Sequence, residues 1–297
     1  MIDTRLISLL KILETGSYTK AAQALSLSQP AVSQHIRQLE DSLGVRIFEH
    51  AHNRLRLTRE GELVVAYARQ SIALRRNLEQ ALKNEREQVR SLTIGITHSA
   101  ESSAIIEALA AYASMIDGLS MKILTNTTDK LFQMLRDYEL AFAFIEGKPG
   151  DDSLCTLKLD TDCLVLAVPP EHRLAGQNMV TLQQLREEKL ILRLPRSNTR
   201  DLFETSLEKL DLRVDDFNVI MEIDSIATIK DLIRRGFGVS VLARSTCMDE
   251  VSKGKLAVLP IENLSMMREI NIVYPPQFEH PELLHGIVKK YNEMQQR

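Results

Sequence analysis

The sequence predicts an α/β protein in three parts: a small helical domain closed by a β-hairpin, one long helix, and a module of two α/β lobes. Three observations carry this. Two short helical patterns joined by a tight turn occupy Ser17–Gly44. No Gly or Pro interrupts the chain from Glu62 to about residue 88. From Ser91 onward, short apolar runs alternate with helical ones, the signature of α/β layering. The expected domains are 1–58, 59–90 and 91–297, the last split into lobe I (91–161 and 266–297) and lobe II (162–265).

Residues 3–15 form a first helix with Leu6, Leu9, Leu10 and Leu13 inward and Gly16 as its stop. Ser17 caps a second helix through Ala21, Ala22 and Leu25, with Ala21 and Ala22 small enough for close packing. Ser28 caps a third, with Pro30 tolerated in its first turn. Along it Val32, Ile36, Leu39 and Leu43 share one stripe and are expected in the core. Pro30, Gln34 and Arg37 then lie opposite, flanked by Ser33 and Gln38. Gln, Ser and Arg are side chains that hydrogen-bond base edges in the major groove. The face differs from the Glu/Lys mixture of an ordinary solvated helix. Val45, Ile47 and Phe48 are strand-like, His52-Asn53 turns the chain, and Leu55 and Leu57 alternate with Arg54 and Arg56. A hairpin directly after the third helix makes a winged helix–turn–helix.

The segment AAQALSLSQPAVSQHIRQLEDSLGVRIFE, with Leu57-Thr58 and Gly61 after it, resembles the DNA-binding domain of the LysR-type transcriptional regulators in both spacing and residue type. The resemblance covers residues 1–61. It implies double-stranded DNA as partner, read by Ser28, Gln29, Pro30, Ala31, Ser33, Gln34 and Arg37, with Arg54 and Arg56 of the wing on phosphate or minor groove. That family has basic residues early in the wing, where this chain has His50 and Asn53.

From Thr58 the chain is helical to about residue 88, with Leu63, Tyr67, Leu74, Leu78 and Ala81 recurring at three- and four-residue steps. Pairing with a second copy would bury this stripe; the family resemblance implies the same dimerisation linker. A two-fold pair calls for an interrupted inverted repeat in the DNA. The resemblance further implies a homotetramer of paired dimers that alters access of RNA polymerase.

Beyond Ser91, strands are expected at Leu92–Ile96, Met121–Leu124 and Leu140–Ile145, in a parallel sheet with right-handed crossovers. A second series follows: a strand at Asp162–Val168, helices near 181–188, 199–210 and 225–235, and strands at Leu190–Leu192, Val219–Ile223 and Val239–Leu242. Arg268–Val273 returns to the first lobe and 281–295 is a terminal helix. The chain would cross between lobes near 161 and near 265. This half resembles the effector domain of the same family, of periplasmic-binding-protein architecture, through LVLAVPPEHRLAG and EIDSIATIKDLIRRGFGVSVLA.

Ligands of such modules sit at the carboxyl ends of strands, between the lobes. The loops there carry Thr97, His98, Ser99, Ser102, Asn126, Thr127 and Thr128 in lobe I, and Ser197, Asn198, Thr199, Asp224 and Ser225 in lobe II. Capped helix N-termini favour negative charge, so a small-molecule inducer, a small carboxylate or similar anion, is expected. Glu146 and Asp224 would oppose a highly charged anion, and Arg200 or His98 would offset them. Each of these residues alone has capping as its simpler explanation.

Composition bounds the rest. At 297 residues, 44% hydrophobic and 26% charged, the chain suits two or three globular domains. Net charge is −3, yet residues 1–90 hold 14 Lys+Arg against 10 Asp+Glu, so the basic excess sits where DNA is expected. No apolar run reaches the roughly 20 residues of a membrane span, and the N-terminus does not read as a signal peptide, so a cytoplasmic location is expected. Cys155, Cys163 and Cys247 fit no zinc spacing; control by redox through Cys155 and Cys163, or no ligand at all, is the alternative. A solute-binding protein would have no use for residues 1–88. No catalytic constellation, metal cluster or cofactor motif is seen, so no enzyme is expected. His172 is read as structural.

Overall fold

The computed structural model describes residues 3–51, 54–87, 90–101, 103–147, 150–278 and 280–295. They form two compact units, Met1–Ser91 with Gln133–Glu139, and Leu92–Phe132 with Leu140–Arg297.

In the first unit, α1 (Thr4–Thr15) is capped by Asp3, whose carboxylate accepts from the Arg5 N–H at 3.0 Å. It ends at Gly16, held at φ 65° where a side chain would be strained. α2 (Tyr18–Ala24) begins at the Ser17 cap and α3 (Gln29–Leu43) at the Ser28 cap; Gly44 closes α3 at φ 66°. The shared core is Leu6, Leu9, Ile12, Ala21, Ala22, Val32, Ile36, Leu39 and Ile47, with Val64, Val65 and Ala68 from the next helix. Ile12 takes the central place on α1, while Leu10 and Leu13 pack at its edge.

Two expectations change here. Leu43, in the last turn of α3, is 52% exposed, not core. Glu40, one step round the helix, is buried instead: its carboxylate accepts from the Ile47 N–H at 2.8 Å and faces Arg46 at 3.3 Å. Because Ile47 spends its N–H on Glu40, the hairpin starts later than its apolar residues suggest. It consists of β1 (Phe48–Ala51) and β2 (Arg54–Leu57), antiparallel with Phe48 opposite Leu57.

α4 (Arg59–Glu87) starts with Thr58 Oγ1 accepting from the Gly61 N–H at 2.9 Å. A Cβ on Gly61 would lie 2.2 Å from the Ile47 carbonyl oxygen, a backbone atom that cannot swing away. Gly61→Ala is therefore expected to lower stability by about 1–3 kcal/mol or more, read as a fall in the urea midpoint. Val64, Val65 and Ala68 turn inward, while Leu63, Tyr67, Leu74, Leu78 and Leu82 are all more than half exposed.

The second unit alternates strand and helix: β3 (Arg90–Thr97), α5 (Ser103–Ala113), β4 (Leu119–Asn126), α6 (Thr128–Arg136) and β5 (Phe142–Glu146). Then come β6 (Cys155–Val168), α7 (Leu182–Arg186), β7 (Leu190–Arg193), α8 (Asn198–Glu208), β8 (Val219–Ile223) and α9 (Ile226–Arg234). β9 (Ser240–Ala243), α10 (Arg244–Ser252), β10 (Ala257–Leu259), β11 (Met267–Tyr274) and α11 (Pro281–Gln295) complete it. Among these, α10 and β10 are not anticipated by the sequence pattern.

The sheet is mixed rather than parallel. β3 and β5 run parallel, but β11 is antiparallel to both β5 and β6. The reason is connectivity: β6 and β11 carry the chain between lobes and are not crossover partners. β6 is one continuous strand of 14 residues, not one beginning at Asp162. Its first half, Cys155–Cys163, pairs with β11; its second half pairs with β9 and β10. Each half lies against its own core, Ile94, Ile96, Phe142, Phe144 and Ile272 in lobe I, and Leu166, Leu190, Leu192, Phe203 and Val241 in lobe II. His172, set 3.3 Å from Glu188, ties the turn after β6 to the residues following α7.

Candidate nucleic-acid interface and interlobe site

The buried stripe of α3 fixes what its other side shows. Val32, Ile36 and Leu39 are at most 4% exposed, which turns Gln29, Pro30, Gln34, Arg37 and Gln38 to solvent, with Ala31 and Ser33 half-buried beside them. Ser28 is used at the helix start, its Oγ accepting from the Ala31 N–H at 3.3 Å. This leaves a row of amide, hydroxyl and guanidinium groups along the N-terminal half of a helix. Arg56 is exposed on β2. The side chain of Arg54, like residue Ser102, lies outside the described residues.

The interlobe site is organised by Glu146, which ends β5 with its side chain 1% exposed. Its Oε2 accepts from Thr97 Oγ1 at 2.5 Å and from Asn198 Nδ2 at 2.9 Å. Asn198 Nδ2 also donates to Thr128 Oγ1 at 3.1 Å, and Thr199 Oγ1 donates to Ser99 Oγ at 3.2 Å. Five of the residues picked from the sequence (Thr97, Ser99, Thr128, Asn198 and Thr199) thus converge on or beside Glu146, from both lobes. A cavity of about 540 Å³ adjoins Glu146 and Asn198 and is bordered also by Thr161, Leu202 and Arg268.

The others are placed differently. Ser197 and Ser225 cap α8 and α9, accepting from the Arg200 and Thr228 N–H groups. Asn126 accepts from the Thr127 N–H, and Thr127 and His98 are exposed. Arg200, expected to offset Glu146, is directed to Glu204 at 2.5 Å and Glu222 at 3.0 Å within lobe II. The cation that faces Glu146 is Arg268, at 3.6 Å, which also lies 3.4 Å from Asp162. Arg268 and Asp162 are cross-strand partners on β11 and β6, so the pair sits where the chain passes between lobes. Asp162 accepts in addition from Ser245 Oγ at 2.9 Å, at the start of α10. Asp224 pairs with Arg193 at 3.0 Å. Burial holds the Arg193 guanidinium below its ordinary value, partly offset by Asp224. Nothing in the sequence marks Arg193, Asp162 or Arg268, because their partners lie far off along the chain, Asp224 for Arg193 and Glu146 and Asp162 for Arg268.

Cys155 and Cys163 do not pair with each other within the chain. Cys155 and Cys163 stand eight residues apart on β6, where a strand's rise of about 3.3 Å per residue separates them by roughly 25 Å, against the ~7 Å limit between Cα atoms of a disulfide. Cys247 is fully buried, which pushes its thiol up to about 11.

Comparison with known proteins agrees with both halves. A family model described as "Bacterial regulatory helix-turn-helix protein, lysR family" matches residues 4–62, and one described as "LysR substrate binding domain" matches residues 85–289. The chain is 29% identical over 260 residues to a RuBisCO operon transcriptional regulator of Allochromatium vinosum, covering 87% of this chain and 85% of that one. It is 30% identical over 258 residues to the HTH-type transcriptional regulator CbbR of Xanthobacter flavus, covering 86% and 76%. In fold it is similar to full-length CbnR solved with its target DNA, with a TM-score of 0.67 over 99% of both chains at 18% identity. No helix among the described residues is long and apolar enough to cross a membrane.

Proposed function

The chain belongs to the LysR family of bacterial regulators and is a DNA-binding transcriptional regulator with a ligand-binding domain, and from that premise we propose how it works. Two copies pair through the exposed stripe of α4 and present two α3 helices to an interrupted inverted repeat. Paired dimers form a tetramer. A small polar molecule, the inducer, binds between the lobes in the cytoplasm. It favours one lobe arrangement, alters how the DNA-binding domains are spaced on DNA, and so changes the access of RNA polymerase.

The observation that carries the reading is the exposed row Gln29, Pro30, Gln34 and Arg37 above a buried Val32, Ile36 and Leu39. Its use in base reading follows from chemistry. Gln matches the donor–acceptor edge of adenine and Arg that of guanine. The interlobe reading is supported by polar side chains of both lobes meeting at Glu146 beside a cavity. Selection of bound genomic fragments followed by footprinting tests it. Two protected half-sites about one helical turn or a multiple apart are expected, with a protection pattern that changes when a stabilising metabolite is added. A single unsplit site, unaffected by any metabolite that binds the protein, would contradict it.

A further inference from the structure

We propose that the ligand of the interlobe site carries a carboxylate together with a hydrogen-bond donor, as an α-amino or α-hydroxy acid does, and that it is held between Arg268 and Glu146. This rests on the reading of the interlobe site as the ligand site, and narrows it.

The two side chains are buried and incompletely satisfied in complementary senses. Glu146 Oε2 has two donors, but Oε1 has no hydrogen-bond partner; its nearest cation, Arg268 Nη1, is 3.6 Å away and too long for one. Arg268 is 5% exposed at its side chain and reaches Thr199 at 3.5 Å and Asp162 at 3.4 Å, both at the long limit, while its Nε has no partner. A free acceptor and a free donor thus lie side by side, and both residues border the 540 Å³ cavity. Leaving such groups unpaired is costly in a buried site, so a molecule supplying both complements is favoured there.

Charge then selects among candidates. Arg268 is already outnumbered by Glu146 and Asp162. A bare carboxylate would add a third negative charge to the same buried cluster. An ammonium group turned to Glu146 Oε1 cancels that charge, and a hydroxyl there offsets part of its cost by giving Oε1 the donor it lacks, while the carboxylate takes Arg268 Nε. An amine without a carboxylate would leave Arg268 Nε unpaired. The cavity volume falls within the range of small-ligand sites.

The test is thermal denaturation of the full-length protein with four sets of probes at millimolar concentration. These are the L-amino acids; lactate and malate; acetate, succinate and phosphate; and putrescine. At least one amino or hydroxy acid is expected to raise Tm by about 3–8 °C at a hundred times its Kd, with the simple anions and the diamine giving less than a third of that. Arg268→Met and Glu146→Gln should each weaken that binding at least tenfold, and Glu146→Gln should weaken an amino acid more than a hydroxy acid. The melting transition of each unliganded variant shows that it is folded. If simple anions or the amine stabilise as well as the bifunctional acids, or if no bifunctional acid stabilises, the proposal is overturned. The broader reading has its own control: Leu202→Trp, which adds bulk to the lining of the cavity, should abolish the shift from any compound that binds between the lobes. A shift that survives Leu202→Trp would overturn the interlobe reading itself.

Discussion

Replacing Leu74 and Leu78 with glutamate is expected to turn the protein into a monomer and to lower operator affinity by 10²- to 10⁴-fold. Both residues lie beyond the turns of α4 that pack on the helix–turn–helix core and are 52% and 59% exposed. Stepping 100° per residue, Leu63, Tyr67, Leu74, Leu78 and Leu82 fall within about a third of the helix circumference. An apolar stripe of that length left in water costs free energy that a second copy would recover. Charges placed in the middle of the paired seam would be buried without partners, which no repacking relieves. The affinity loss follows from valency: with one DNA-binding domain the second half-site is no longer bound at a high effective concentration. Sedimentation and gel-shift titration read the two effects. Because the substituted residues lie further along α4 than its contacts with the helix–turn–helix core, the melting of that domain should be little changed.

The second large effect concerns discrimination. Gln29→Ala, Ser33→Ala and Gln34→Ala should each reduce the preference for operator over random DNA by about 1–3 kcal/mol per lost base contact, five- to more than a hundredfold. Arg56→Ala, on the exposed strand of the wing, should weaken binding to both DNAs alike and reduce its salt dependence, because phosphate contact carries no sequence information. The two classes separate in one titration series at fixed salt.

The helix–turn–helix was legible because its determinants are local. Ser17 and Ser28 cap, Gly16 and Gly44 terminate, and the three- and four-residue spacing of Val32, Ile36 and Leu39 defines a face without reference to the rest of the chain. Glu40 was not legible, since a carboxylate on a helix normally points to water and its partner is a backbone N–H seven residues on. Long β6 was half legible. Its first part is exposed or half-buried except at Leu159 and Asp162, whereas its last five residues are all buried, so the pattern changes mid-strand and only the apolar part reads clearly. α10 buries only Thr246 and Cys247 and shows no apolar stripe. At the interlobe site the hydroxyl and amide residues betrayed themselves by following strands. Arg268, inside β11, and Arg193, the last residue of β7, gave no such sign, and pairing across lobes cannot be read from spacing.

The central claim, that the polar face of α3 lies in a major groove, is tested most directly by methylation interference on the selected operator. Guanine N7 faces the major groove and adenine N3 the minor groove, and dimethyl sulfate modifies both. The account predicts strong interference from N7 methylation in each half-site, lost at one guanine when Arg37 is replaced by alanine. Interference confined to adenine N3, with guanine N7 methylation tolerated throughout both half-sites, would contradict it.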